Sequence, residues 1–164
     1  MPTKKDFTDQ MKQTHAPLAA MIRMVPDGRI DWAPGKGFMT VGQLIRHISE
    51  NWCIVRMLVK AEWPFKSEQE MVEGMKLENI PSCSKAEALA LSEKDLAEAV
   101  QFIEVEISEK DFFSKMVTAP WGFKGEVWKG VLMACEHFLN HKMQLHLYLK
   151  LLGLPVNTGT LYGP

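Results

Sequence analysis

Apolar residues recur with the period of an α-helix in four separate stretches of this sequence, whereas the alternating pattern of β-strands is nearly absent. Each such helix has one apolar face to bury, and four of them bury these faces best around a common core. The chain of 164 residues is long enough for one sizeable core. We therefore predict an all-α protein, a four-helix bundle with long connections that forms a single domain over residues 1–164.

Capping residues, prolines and glycines set the limits of the predicted helices. Thr40 and Gln43 form a capping box at the start of the second helix, and Ser84 caps the third. Pro17 lies inside the first helix and should bend or interrupt it, and Gly153 ends the fourth. The predicted helices span residues 6–24, 41–62, 85–107 and 126–152.

Two long connections separate the last three helices. Residues 64–82 are compatible with a short helix at 68–74 followed by a loop, and residues 109–125 with a short hairpin. Because connections of this length can cross a bundle, simple up-down-up-down order is not required.

Composition argues against several classes of protein. The net charge of −1 and the lack of any block of like charges predict no nucleic-acid partner. The three cysteines, Cys53, Cys83 and Cys135, are odd in number and far apart, which favours free thiols and a cytoplasmic location. We predict no signal peptide. Charged residues and histidines interrupt the apolar stretch 127–154, which predicts a buried helix and no membrane span.

Three histidines are the strongest candidates for a functional site. His137 and His141 are spaced H-x-x-x-H, which places both imidazoles on one face of the fourth helix, one turn apart. His47 lies among apolar neighbours such as Leu44 and Leu58 on the wheel of the second helix, so it should face the same core. Three imidazoles can hold a divalent metal between helices two and four and leave positions open for water or substrate.

Each candidate has a simpler interpretation. A buried histidine that binds no metal needs other polar partners. His15 is interpreted as a core histidine, with a residue lining the site as the alternative. His146 falls outside the sector of the histidine pair, and we assign it to the surface or to an interface. Cys53 and Cys135 also fall outside the histidine sectors, and we interpret them as small buried apolar residues.

Polar residues near the histidines are candidates for contacts to the ligands or to a substrate. They are Glu50, Asn51, Gln144 and Tyr148. A solvated surface carboxylate is the alternative for Glu50. The histidine pair lacks the glutamate of an H-E-x-x-H motif, which disfavours a zinc peptidase.

Two segments of the chain carry extended motifs. The segment DWAPGKGFMTVGQLIRHI, residues 31–48, has the form D-W-x-P…T-x-x-x-L-x-x-H. The segment EHFLNHKMQLHLYLKLLGLPVNTGTLYG, residues 136–163, has the form H-x-x-x-H-x-x-Q…Y-L-x-x-x-G…P…Y-G. In this order they resemble the motifs of the DinB-like (DinB/YfiT) superfamily of metal-dependent proteins. One departure is that Lys142 and Met143 stand where many members have Arg-Gly before the glutamine.

The resemblance implies a four-helix bundle of unusual connectivity, often a homodimer. It also implies that His47, His137 and His141 are metal ligands and that Gln144 lies near them. Characterised relatives include transferases and isomerases that use low-molecular-weight thiols, whereas many members have no known activity. Three imidazoles suit zinc or nickel first, and iron, manganese and copper are also compatible.

No protein nucleophile or obvious base lies beside the three histidines in the sequence. We therefore hypothesise that the metal activates an external thiol, which attacks an electrophilic small-molecule substrate. Three alternatives stay open. The first is a non-catalytic, stress-related metal-binding dimer, in which the metal holds the bundle. The others are a metal-dependent hydrolase with Glu50 as base, and a protein that binds a small apolar ligand without a metal.

Overall fold

Four helical arms form a bundle, and short elements fill the connections between them. The computed structural model describes residues 1–163. Its elements in chain order are α1 (Lys4–His15), α2 (Leu18–Met24), α3 (Val41–Ser49), α4 (Cys53–Lys60), α5 (Glu68–Gly74), a 3-10 turn (Leu77–Asn79), α6 (Lys85–Gln101), a π-helical turn (Phe102–Glu106), α7 (Glu109–Ser114), β1 (Met116–Thr118), β2 (Lys124–Glu126), α8 (Val127–Leu151) and α9 (Thr158–Tyr162). Within the described residues, no helix has the length and apolar character needed to cross a bilayer.

The four arms are the α1/α2 pair, the α3/α4 pair, α6 with its π-helical turn, and α8. Both α6 and α8 pack mainly against the two helix pairs. This places α6 diagonally opposite α8, and α1/α2 diagonally opposite α3/α4. The first two arms are therefore consecutive in sequence but diagonal in space, and so are the last two. The prediction of a four-helix bundle with long connections is confirmed. Residues 25–40 and 107–126 cross the bundle between diagonal arms, whereas the long connection 61–84 joins the second and third arms, which are adjacent.

Most of the predicted elements are present, and two short helices are additional. The structure confirms the interruption at Pro17, the short helix α5 and the antiparallel hairpin of β1 and β2. The additional helices are α7, which begins at the Ser108 cap, and α9, which begins at the Asn157 cap. Both are too short to show an apolar period in the sequence, and this is why periodicity did not predict them.

The prediction of one continuous second helix is wrong, because the chain leaves the helical path between α3 and α4. The buried side-chain amide of Asn51 donates a hydrogen bond to the Ala134 carbonyl on α8 over 3.0 Å. The next residue, Trp52, donates its backbone N–H to the buried carboxylate of Asp95 on α6 over 2.5 Å. Contacts to two other arms thus satisfy polar groups at the break and hold it in place.

The start of α3 is packed too closely for a side chain at Gly42. A Cβ atom at this position would overlap the Ser82 hydroxyl and would lie 2.7 Å from Cγ2 of Ile30 and 3.2 Å from the carbonyl oxygen of Cys83. The Gly42 N–H also donates to the Ile30 carbonyl over 2.8 Å. This close approach fixes the beginning of the helix that carries His47.

Replacement of Gly42 by alanine should therefore destabilise the fold. We expect Gly42→Ala to lower the free energy of unfolding by about 1–3 kcal/mol, because the added methyl group must displace the side chains of Ser82 and Ile30. Gly74→Ala is the matched control, since nothing lies within 4 Å of the Cβ that it would add. Urea denaturation measures both variants, and equal effects of the two substitutions would contradict the packing argument.

Candidate metal centre

The structure brings the three predicted histidines together at one point between α3 and α8. His137 and His141 occupy successive turns of α8, and His47 faces them from the last turn of α3. Nε2 of His137 lies 3.3 Å from Nε2 of His47 and 3.1 Å from Nε2 of His141. One ring nitrogen of each histidine lies within 4.8 Å of those of the other two. We call these three residues the histidine triad.

Hydrogen bonding by Asn51 fixes the tautomer of His137. The Asn51 amide nitrogen donates to the carbonyl of Ala134, which can only accept, so the Asn51 Oδ1 atom is turned toward the imidazole. Nδ1 of His137 lies 2.7 Å from that oxygen and must therefore carry the proton that it donates. A neutral His137 then presents the lone pair of Nε2 to the centre of the triad.

A second chain of hydrogen bonds fixes His141 in the same way. The Tyr148 hydroxyl donates to the Met39 carbonyl over 3.0 Å and accepts from Nε2 of Gln144 over 3.2 Å. The Oε1 atom of Gln144 therefore faces Nδ1 of His141, at 3.0 Å, and accepts its proton. Nε2 of a neutral His141 also points its lone pair into the triad.

This donor set fits a divalent transition metal. Two nitrogen lone pairs 3.1 Å apart cannot hydrogen-bond to each other and repel unless a proton or a cation lies between them. Imidazole nitrogens bound to one zinc ion at about 2.1 Å, with bond angles of about 90° to 110°, are about 3.0–3.4 Å apart. The measured separations of 3.1 and 3.3 Å fall in this range. The other ring nitrogens of His137 and His141 donate to amide oxygens, as metal-bound histidines usually do.

Burial keeps two members of the triad neutral. Removal from water, with a smaller contribution from the neighbouring imidazole of His141, lowers the pKa of His47 from 6.5 to about 4. Burial also lowers the pKa of His137 to about 4, with smaller contributions from the other two rings. Neutral imidazole is the form that binds a metal, so these ligand atoms do not have to lose a proton near neutral pH.

A cavity of about 560 Å³ adjoins the triad and reaches His47 and His137. Three aromatic side chains outside the four arms line it, namely Trp63, Phe65 and Trp121. The rings of Trp63 and Trp121 meet edge to face, with centroids 5.1 Å apart. The triad therefore has an open side, and an organic molecule that enters there meets an aromatic wall.

Charged side chains of both signs line the cavity on its helical side. Arg46 pairs with Glu50 over 2.8 Å, and Lys94 lies 3.7 Å from Glu98. Asp95 also lines the cavity, and burial raises its pKa to about 7 despite the hydrogen bond from the Trp52 N–H. Both cations of the wall are thus paired with carboxylates, but the buried Nε of Arg46 has no hydrogen-bond partner within residues 1–163.

Three of the four polar candidates near the histidines belong to the hydrogen-bond networks described above. Asn51 contacts His137, Gln144 contacts His141, and Tyr148 supports Gln144. Glu50 differs, because its carboxylate is paired with Arg46 and makes no hydrogen bond to the triad within residues 1–163. It lines the cavity but is not directed at the histidine nitrogens by any contact.

The remaining histidines lie apart from the triad. His15 is a core histidine, since it accepts a hydrogen bond from the Trp52 indole over 3.0 Å and contacts the Ser92 hydroxyl at 2.8 Å. His146 is buried, with only 6% of it exposed, so its assignment to the surface is wrong, and its assignment to an interface stays a prediction. Several elements pack around α8, so they bury more of its circumference than one core sector.

Cys53 and Cys135, which fall outside the histidine sectors on the helical wheels, also lie outside the triad in the structure. Burial raises the pKa of Cys53 to about 12 and that of Cys135 to about 11, so both are protonated thiols at neutral pH.

Sequence reasoning missed the cavity residues Trp63, Trp121 and Asp95. Tryptophans beside Pro64 and in the Pro-Trp-Gly run at 120–122 were a usable signal, because large aromatic residues in turns commonly line binding sites.

The protein is thus an all-α bundle with a histidine triad beside a cavity, and its fold is that of DinB-like proteins. A DinB-like protein from Bacillus cereus is 17% identical, with a TM-score of 0.73 over 94% of this chain and 96% of that one. A candidate DinB-family member from Exiguobacterium sibiricum is 16% identical, with a TM-score of 0.70 over 96% of each chain. A DinB-like protein from Bacillus subtilis is 14% identical, with a TM-score of 0.64 over 92% of this chain and 96% of that one.

These structures confirm the fold that the sequence motifs predicted. No protein-family model matches the sequence, and no curated protein sequence matches it. At these identities the likeness concerns the fold alone, so function must be argued from the site.

The lowered pKa values of His47 and His137 can be tested directly. In metal-free protein, both rings should stay neutral as the pH falls from 7.5 to 5 and should gain a proton only near pH 4. NMR of labelled imidazoles measures this, with His47→Gln and His137→Gln variants to assign the signals. The same rings in urea-unfolded protein serve as the control and should titrate near pH 6.5. A midpoint near 6.5 for either folded ring would contradict the burial argument.

Proposed function

We propose that this protein binds a divalent metal ion through His47, His137 and His141. The observation that carries the proposal is the pair of Nε2 lone pairs, 3.1 Å apart, that Asn51 and Gln144 hold toward one point. Buried polar groups arranged in this way need a partner, and a cation that accepts all three nitrogens provides one. Zinc or nickel suits the donors best, and iron, manganese and copper are also compatible.

We further propose that the site activates a low-molecular-weight thiol for transfer to a small electrophile. A divalent metal on three neutral imidazoles lowers the pKa of a thiol or water that it coordinates. Among the described residues that line the cavity, Cys53 carries the only thiol, and burial keeps it protonated. An external thiol would supply the nucleophile. Its proton would pass to solvent when it binds, and its sulfur would then bond to the electrophilic carbon as the leaving group departs from that carbon with its electron pair.

The protein's own residues would bind and orient the reactants. Trp63 and Trp121 offer ring faces and edges to an apolar electrophile. The Nε of Arg46, which has no hydrogen-bond partner within residues 1–163, could donate to a carboxylate on either reactant.

Two other functions are weaker candidates. A hydrolase would use Glu50 as base, but that carboxylate is engaged by Arg46. A structural metal in a non-catalytic, stress-related dimer would hold α3 against α8, which the position of the triad allows.

The homodimer implied by the resemblance is a prediction independent of the metal, since the whole triad lies in one chain. A cytoplasmic location also stays a prediction, which the three free cysteines favour.

Metal content tests the ligand assignment. His141→Ala should abolish stoichiometric metal binding, and Asn51→Leu should weaken it by about 10- to 100-fold, because Asn51 only orients His137. His146→Ala on the same helix is the matched control and should keep the metal. Elemental analysis of protein purified without an affinity tag, followed by chelator competition, gives the values. Equal metal content in His141→Ala and wild type would refute the assignment.

Thiol conjugation tests the proposed reaction. Metal-loaded wild type should accelerate attack of a small thiol on an aryl chloride, with a carbon–sulfur bond formed and chloride released. Metal-free protein and His141→Ala should show only the uncatalysed rate. Ester hydrolysis that needs no thiol and is lost in Glu50→Gln would favour the hydrolase. A large fall in melting temperature on metal removal, with no conjugation by any thiol tried, would favour a structural metal.

A further inference from the structure

Asp95 carries a buried carboxyl group that has no cationic partner within residues 1–163. It lies on α6 in the wall of the cavity, and only 8% of the residue is exposed. The wall contains two further carboxylates, Glu50 and Glu98, and each of them is paired with a cation of the wall. Once Asp95 is ionised, the wall therefore carries one unbalanced negative charge, which a bound cation would neutralise.

The contact of Asp95 with the backbone does not explain its charge. Asp95 accepts a hydrogen bond from the Trp52 N–H over 2.5 Å and so helps to cap the start of α4. Asparagine and aspartate cap helices about equally well. An amide would also avoid the cost of burying a charge, which here raises the pKa of Asp95 from 3.8 to about 7. Capping accounts for a hydrogen-bond acceptor at this position, but not for an acid.

The aromatic wall of the same cavity suits an organic cation with an apolar body. The rings of Trp63 and Phe65 lie nearly parallel, with centroids 6.1 Å apart, and Trp121 meets Trp63 edge to face. Aromatic faces attract cations as well as apolar groups. The side chains of Ile54 and Leu91 add further apolar surface to the cavity. A hydrated inorganic ion would gain little from these surfaces, whereas an amine with an attached ring would contact them directly.

Asp95 lies near the triad, because two consecutive residues contact both. Asn51 accepts a hydrogen bond from His137, and the next residue, Trp52, donates to Asp95. The same cavity of about 560 Å³ is lined by His47, His137 and Asp95. A small organic molecule in a cavity of this size can contact the carboxylate at one end and face the triad with the other.

We propose that the cavity binds a small arylalkylamine, with its ammonium group on Asp95 and its ring against Trp63 and Trp121. Binding of the amine needs no metal. The assignment of such an amine as the electrophilic substrate rests on the proposed thiol transfer. In that role the ammonium group anchors the molecule on α6, and the electrophilic carbon at its other end faces the triad.

Calorimetric titration of metal-free protein tests the binding site, because no amine can then ligate a metal. The probes are benzylamine and two analogues of similar size, the neutral benzyl alcohol and the anionic benzoate. At pH 8, where Asp95 is ionised, wild type should bind benzylamine about 10-fold or more tighter than either analogue. Equal affinity for all three, no detectable binding of benzylamine, or a preference for benzoate would each overturn the proposal.

Two variants locate the amine. Asp95→Asn removes the charge but keeps an acceptor for the Trp52 N–H, so it should keep the fold and lose the preference for benzylamine. Glu93→Gln is the matched control, since Glu93 is an exposed carboxylate on the same helix outside the cavity wall. Trp121→Leu should also weaken benzylamine binding. Circular dichroism checks the fold, and wild-type affinity for benzylamine in folded Asp95→Asn would contradict the assignment.

The role as a substrate is tested separately on metal-loaded protein with a small thiol. An aryl chloride that carries an aminomethyl group should have a kcat/KM about 10-fold or more above that of its hydroxymethyl analogue. Asp95→Asn should abolish this difference. Equal kcat/KM values for the two chlorides in wild type would overturn the substrate assignment. Failure of both chlorides to react would refute the proposed thiol transfer and the substrate assignment with it, whereas the calorimetric result for the amine site would stand.

Discussion

The hydrogen bonds of the Asn51 amide connect the break in the second arm, the position of α8 and the chemistry of the triad. One end of this buried amide donates to the backbone of α8, and the other accepts from His137 on the same helix. To leave either group unpaired in the interior would cost about 1–3 kcal/mol. The amide reaches both partners from the point where the chain departs from the helical path. The residue at the break between α3 and α4 therefore also orients the imidazole of His137 that faces His47.

The break has an electrostatic consequence, because it places the carboxyl group of Asp95 in the interior. Burial raises the pKa of Asp95 from 3.8 to about 7, so its contribution to stability is full below pH 3.8 and is lost as the pH rises through 7. The pKa values of His15, His47 and His137 are lowered from 6.5 to about 4, so their contributions are present above pH 6.5 and are lost as the pH falls through 4. As the pH rises from 4 to 6.5, three histidines add to the stability of the fold and only one carboxyl group subtracts from it. The free energy of unfolding of the metal-free protein should therefore increase over this range.

Sequence signals that act within one helix predicted the parts of this structure whose geometry depends only on residues nearby in the chain. The Thr40/Gln43 capping box and the i, i+4 spacing of His137 and His141 act within one helix, and they predicted the start of α3 and the shared direction of the pair. The break at Asn51 could not be predicted in this way, because its hydrogen-bond acceptors on α6 and α8 are more than 40 residues away in sequence. The cavity wall depends on loop packing, and the burial of His146 depends on the surroundings of α8, which a helical wheel does not contain.

The hydrogen bonds that orient the two histidines of α8 come from opposite ends of α3. Asn51, which follows α3, accepts from His137, whereas His141 donates to Gln144. Gln144 is held by the Tyr148 hydroxyl, which donates to the carbonyl of Met39, just before α3. The two networks therefore tie α8 to the chain on both sides of the helix that carries His47. A cation at the triad would meet imidazoles that the fold has already oriented, so little conformational freedom would be lost when it binds.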